Sequence, residues 1–365
     1  MRYVKEIQFI ALLYLFLILL SGILYSYTIT RIVSISHISP FWVIITNSII
    51  SMFIFIDFSY IKKISTLHSR LISAVTSFLL LILFFLSFIL KDQGMILLAV
   101  YAISVFSSSY VGRSLERKIF EEEKRLFGGM VKISIVGNLA KLIGFGVGAI
   151  IFSIPLSIYI FLSFILFLVM ASVNVEHGFS YSKASIAGKK KVNSLFLLLF
   201  VGLISSIPIL WIPSLVERFN EAGMIKLSFI PFVLPGTMNI LFLRYLKDRI
   251  WSKYIPLFYF ILTVFFMVIY YVDVSLIFQV IVLSTIITLG VSINVYINTI
   301  FLQKNKTRDK RELMQLINVV TSVSTLLFSF FAMYISLTVH LMLLINATLS
   351  LFIFVFFARI RGEDE

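Results

Sequence analysis

Lys141 is the residue of this chain with the most chemistry in prospect, because it places an ammonium inside an otherwise apolar run, 129–151. It stands about ten residues into that run. At 1.5 Å of helical rise per residue this is roughly 15 Å from the start, near the centre of about 30 Å of hydrocarbon. A lysine facing lipid at that depth is costly. Its placement has three readings: contact with a solute or cavity water, a structural hydrogen bond between helices, or a side chain that snorkels to the interface. Under the first, a fixed positive charge meets an anionic or strongly polar solute. Asn138, three residues earlier, can share the same helical face and adds an amide that donates and accepts. Asn294 and Asn298, four residues apart in a second apolar run, form a similar pair. They line a central path or bond one helix to another.

Other reactive residue types are sparse. There is no cysteine, which excludes disulfides, thiolate nucleophiles and cysteine metal sites. His37, His68, His177 and His340 are widely separated, and neither an HxxxH pair nor a P-loop occurs. The 17 acidic residues fall between the apolar runs or near their ends. Intramembrane carboxylates often relay protons, so proton coupling lacks its usual candidate. No enzyme activity, cofactor or metal site is expected.

The elements that must hold these residues are long and greasy. Of 365 residues 60% are hydrophobic and only 13% charged, with a mean hydropathy of +1.05, outside the range of soluble domains. About twelve runs are long enough to span a bilayer: 7–29, 41–60, 71–90, 94–112, 129–151, 155–175, 193–213, 226–243, 254–272, 274–302, 313–335 and 337–358. The first is read as a retained helix and not as a cleaved leader. The expectation is an all-α polytopic membrane protein with twelve transmembrane helices. Pro208, Pro231 and Pro235 mark kinks or breaks, and Pro213 a helix end. Gly137, Gly144, Gly146 and Gly148 allow either close helix packing or bending.

Most of the 31 lysines and arginines lie before the first run, in alternate gaps and after the last. Positive residues mark the cytoplasmic side, so both termini are expected there, in an inner or plasma membrane. The opposite side is nearly bare, with Arg31, Lys91 and Arg218 as its main cations. The net charge of +14 is thus explained by topology, and no nucleic-acid partner is expected.

The stretch 176–193, with Gly178, Gly188 and Lys189 to Lys191, interrupts the hydrophobicity after the sixth run. It divides the chain into two six-helix halves, 1–190 and 191–365. Basic connections recur at about half-chain spacing, at 113–128 and 303–312 and again at 62–70 and 244–253, which marks an internal repeat. In the first half, Arg113, Glu116, Glu121 to Glu123, Lys124, Arg125, Gly128 and Gly129 lead into a glycine-rich fifth run. Asp57 precedes Lys62 and Lys63 between the second and third. In this organisation the whole chain resembles the major facilitator superfamily, a group of secondary transporters. The glycines that usually flank the acid of that signature are here Phe53 and Tyr60.

The resemblance implies alternating access to a cavity between the halves, with a small polar or anionic solute as cargo. It makes Asp57 and Arg113, with Lys62 and Lys63 nearby, candidates for an ionic gate at the cytoplasmic mouth. The alternative is that these charges only mark the membrane boundary. The expected partners are a small-molecule substrate, the lipid bilayer and, if transport is coupled, an ion; the protein is expected to be a monomer. A drug or metabolite exporter is the nearest variant, and a nontransporting membrane scaffold is the alternative of a different class.

Overall fold

The computed structural model describes residues 2–35, 38–60, 66–90, 93–122, 127–172, 195–245, 254–272, 274–304, 310–335, 340–341, 343–345 and 347–352. Among the described residues there is no strand. The helices are α1 (Arg2–Ile35), α2 (Phe41–Tyr60), α3 (Thr66–Ile89), α4 (Gln93–Glu122), α5 (Phe127–Ile150), α6 (Leu156–Ser172), α7 (Leu195–Glu221), α8 (Phe229–Tyr245), α9 (Ile255–Tyr271), α10 (Leu276–Lys304) and α11 (Lys310–Tyr334). A further apolar helix covers Leu343–Phe352. Each of the first eleven apolar runs overlaps one of α1–α11.

Six stretches among the described residues are helical, long and apolar enough to cross a membrane: Ala11–Ile35, Arg70–Ile89, Gln93–Gly112, Val136–Ser153, Leu276–Asn294 and Leu316–Tyr334. Their surfaces are inverted relative to a protein that folds in water. On α3, Leu71, Val75, Phe78, Ile82, Phe85 and Ile89 recur every three or four residues and are all exposed, while Ser73, Thr76 and Ser77 are buried. Such a stripe is a liability in water and a natural surface in lipid, where the helix satisfies its own backbone. This is the build of a helical membrane protein.

Helices α1, α4 and α7 all outrun their apolar segments. The basic stretch 113–122, expected between runs, continues α4; its Leu, Glu, Arg and Lys are good helix formers, and no proline or glycine interrupts it. Pro213, expected at a helix end, lies inside α7, as does Pro208. Proline removes one backbone bond, yet Leu210, Trp211, Leu215, Val216 and Phe219 beyond it are all buried. Packing of that face sustains the helix through the missing bond. Pro231 falls in the first turn of α8, where its lost N–H has no helical partner anyway.

The chain divides into two compact units, Met1–Ile186 with Met224–Phe229, and Ala187–Gly223 with Ile230–Glu365. In the first, α1 packs on α4 and α5, α3 on α4 and α6, and α2 on α4. In the second, α7 packs on α10 and α11, and α9 on α10. The α1–α5 contact is glycine-mediated. A Cβ added at Gly22 would lie 2.6 Å from the Lys141 carbonyl oxygen; one at Gly144 would collide with the Leu19 carbonyl, and one at Gly148 with the Ile23 carbonyl and the Ser26 hydroxyl. Gly144 and Gly148 therefore meet Gly22 and Ser26 through a small-residue seam on each helix.

Candidate functional site

A cavity of about 290 Å³ lies within the first unit. From α1 it receives Tyr14, Leu17, Ile18 and Ser21, a spacing that occupies one helical face. From α2 come Ser51 and Ile54, and from α4 Ser108, Ser109 and Gly112; α5 contributes Lys141. Leu17 also packs into a buried cluster with Val111, Leu115 and Met170, which anchors that wall. A Cβ at Gly112 would meet nothing within 4 Å, so this position opens onto space.

The α5 helix decides where Lys141 points. Val136, Leu139, Ile143, Val147 and Ile150 are all exposed and form one apolar stripe. At 3.6 residues per turn, Lys141 projects roughly 160° from the centre of that stripe. Its side chain therefore leaves on the side away from the apolar stripe, and it is exposed at the cavity. The ammonium lies 5.6 Å from the Phe145 ring centroid, within cation–π range. Because its carbonyl abuts Gly22, the backbone that carries the charge is held at the tightest part of the α1–α5 seam.

The remaining polar lining is hydroxyl. Ser21 Oγ donates to the Ile18 carbonyl at 2.8 Å, and Ser108 Oγ donates to the Val105 carbonyl at 3.2 Å. Each then has only acceptor lone pairs to offer. Among the described residues no carboxylate lines the cavity. Next to the lysine, Phe145 packs on Tyr25 at 5.7 Å, and Tyr25 on Tyr101 at 6.5 Å. Two residues further along α1, Tyr27 stacks on Tyr159 at 4.0 Å and its hydroxyl donates to the Ile154 carbonyl at 2.9 Å. Arg31 donates to the Phe152 carbonyl at 3.1 Å. These cross-links brace α1 against α4, α5 and α6 behind the cavity.

Comparison with known proteins finds no matching family model and no curated protein that matches the chain in sequence. The arrangement of side chains must carry the functional argument unaided.

The other candidates are distributed differently. Asn138 is exposed but does not line the Lys141 cavity. In the second unit, Asn298 Nδ2 donates to Asn294 Oδ1 at 3.2 Å, so this pair does share a face of α10. Asp57 lies on α2 and Arg113 on α4; their side chains, and Lys62 and Lys63 entirely, are outside the described residues. Among the described residues no group of three or more His, Asp or Glu is placed to hold a metal. Sequence reasoning missed Tyr14, Ser21, Ser51, Ser108 and Ser109. Their available signal was Tyr14 and Ser21 seven residues apart on one face, and the serine cluster at 107–109.

A second polar group closes on itself. Arg218 stacks over Tyr270 at 4.4 Å and donates to Gln279 Oε1; Gln279 Nε2 in turn donates to the Val274 carbonyl at 3.1 Å. His340 meets Tyr270 at 4.3 Å and Trp211 at 5.0 Å, edge to face. Arg218 and Gln279 bond within the protein, a structural role.

Glu217, beyond the apolar run 193–213, has its carboxyl pushed above the ordinary 4.5, first by burial and then by the Glu221 charge. The folded state therefore holds this proton more tightly than the unfolded state. Stability is greatest below the ordinary value and declines as pH rises toward the raised one. Glu217→Gln removes that penalty, so the variant should be more stable than the parent at pH 7, with the gain vanishing below pH 4.5. Thermal unfolding across this range checks it; equal stability at pH 7 contradicts it.

Proposed function

We propose that this chain is a secondary transporter of the major facilitator type, with twelve transmembrane helices in two six-helix halves, 1–190 and 191–365. It moves a small polar or anionic solute across an inner or plasma membrane by alternating access, with both termini cytoplasmic. The observation that carries this reading is Lys141: a lone ammonium exposed at a small, hydroxyl-lined cavity between membrane-scale helices. A cation in that setting needs a functional explanation, and a solute anion supplies one.

Lys141 attracts and orients the anionic group, and the hydroxyls around it replace part of the solute's lost hydration. Asn138 widens the polar surface of α5, and Asn294 and Asn298 give α10 a polar face of its own for the solute. The halves then rock about the solute. Asp57 pairs with Arg113 at the cytoplasmic mouth in one state and is hydrated in the other, with Lys62 and Lys63 adding to the positive rim.

Flux into vesicles reconstituted with the purified protein tests the reading, using panels of small anions, neutral polar solutes and drugs with and without ion gradients. Saturable movement of a small anion is expected. Movement of drugs alone would favour the exporter, and folded protein that moves nothing would favour a scaffold. For the gate, Asp57→Asn and Arg113→Gln should each shift the balance of inward and outward labelling at engineered single cysteines. An unchanged balance in both variants removes the ionic gate.

A further inference from the structure

We infer that the solute of the Lys141 cavity is a short aliphatic monoanion that carries a hydroxyl group, of the hydroxymonocarboxylate class; this rests on the reading of the cavity as the transporter's solute site. Three properties of the lining converge on it. The first is charge. Among the described residues, Lys141 is the single charged side chain that lines the cavity. It pairs with one anionic group; a second would have only neutral hydroxyls to meet, and a cationic group would meet repulsion.

The second property is shape. Leu17, Ile18 and Ile54 form an apolar wall that suits a hydrocarbon body and gives nothing to a fully polar ion. A volume of about 290 Å³ is many times the ~10–15 Å³ that one water needs by the same measure, enough for a short-chain acid.

The third is the direction of the hydrogen bonds. The Ser21 and Ser108 protons are committed to the Ile18 and Val105 carbonyls, so these two lining hydroxyls have acceptor lone pairs left to offer. A solute hydroxyl donates to them; a plain fatty acid leaves them covered by carbon. An ammonium would also donate, but Lys141 opposes a second cation in the same small space.

Calorimetric titration of the full chain in lipid nanodiscs with sodium 3-hydroxybutyrate, butyrate and succinate tests this. 3-Hydroxybutyrate should bind about tenfold more tightly than butyrate, the worth of one well-made hydrogen bond, and at least tenfold more tightly than succinate. Ser21→Ala and Ser108→Ala, made singly and together, should narrow the gap between the two monoanions. Lys141→Gln should weaken both monoanions alike. The thermal unfolding profile of each variant confirms folding, and the ligand order in the unmodified chain stands without them. Succinate binding as tightly as 3-hydroxybutyrate, equal binding of the two monoanions, or no binding of any of the three would overturn the assignment. The expected order without vesicle flux would keep the ligand class and remove the transport reading. Flux of other solutes without binding of hydroxy acids would do the reverse.

Discussion

Lys141→Gln should lower the uptake of small anions into reconstituted vesicles by roughly ten- to a hundredfold, while Lys141→Arg keeps the preference for anions over neutral solutes. The range follows from one charge-assisted hydrogen bond, about 1.5–3 kcal/mol, at 1.4 kcal/mol per tenfold. Glutamine removes the charge and keeps a polar end, one bond shorter than the lysine stem. The loss should fall on anions far more than on neutral solutes, and the variant should fold as the parent does, because the Lys141 side chain is exposed at the cavity and not packed in a core. Equal anion uptake by the parent and Lys141→Gln would reduce Lys141 to a structural or snorkelling group. Arginine separates charge from shape: it keeps the first and alters the second.

The second large effect concerns the α1–α5 seam. Alanine at Gly22, Gly144 or Gly148 should each destabilise the folded protein by roughly 1–3 kcal/mol, the usual range for overpacking. In all three cases the added carbon meets a backbone carbonyl on the opposite helix, which cannot rotate aside as a side-chain tip can. The helices must part. Gly22→Ala has an added consequence, since it presses on the carbonyl of Lys141 itself and should lower anion uptake as well as stability. Gly112→Ala is the matched comparison: its Cβ meets nothing within 4 Å, and alanine is the better helix former by about 1 kcal/mol. It should be at least as stable as the parent. Thermal unfolding in one detergent ranks the four variants. Equal stability of Gly22→Ala and Gly112→Ala would mean that the seam is looser than its geometry.

The positions of the helices were legible because hydrophobic run length is a local property. The run 41–60 coincides with α2, and 129–151 lies within one or two residues of the ends of α5. Lys141 stood out for the same reason, as a charge inside such a run. The glycines of α5 signalled close packing, but their counterparts Gly22 and Ser26 did not, because a seam is recognised only when both helices are seen together. The hydroxyls of the cavity were hidden for a related reason. Serines are common in membrane helices, and only the adjacency of α1, α2 and α4 gathers Ser21, Ser51 and Ser108 around one lysine. Arg218 and Gln279 are 61 residues apart, beyond the reach of any periodicity argument. Pro213 misled because a local rule about helix ends was outweighed by tertiary burial of the residues around it.

The central claim is that the Lys141 cavity is a water-accessible solute site. The cysteine-free chain allows a direct measurement: Gly112→Cys puts the protein's single thiol at the cavity, and a small anionic thiol reagent is applied to reconstituted vesicles while uptake is followed. The account predicts that the thiol is modified from water, that a transported anion slows the modification, and that the modified protein no longer moves solute. A thiol that stays unmodified, or one whose modification leaves uptake unchanged, would contradict it.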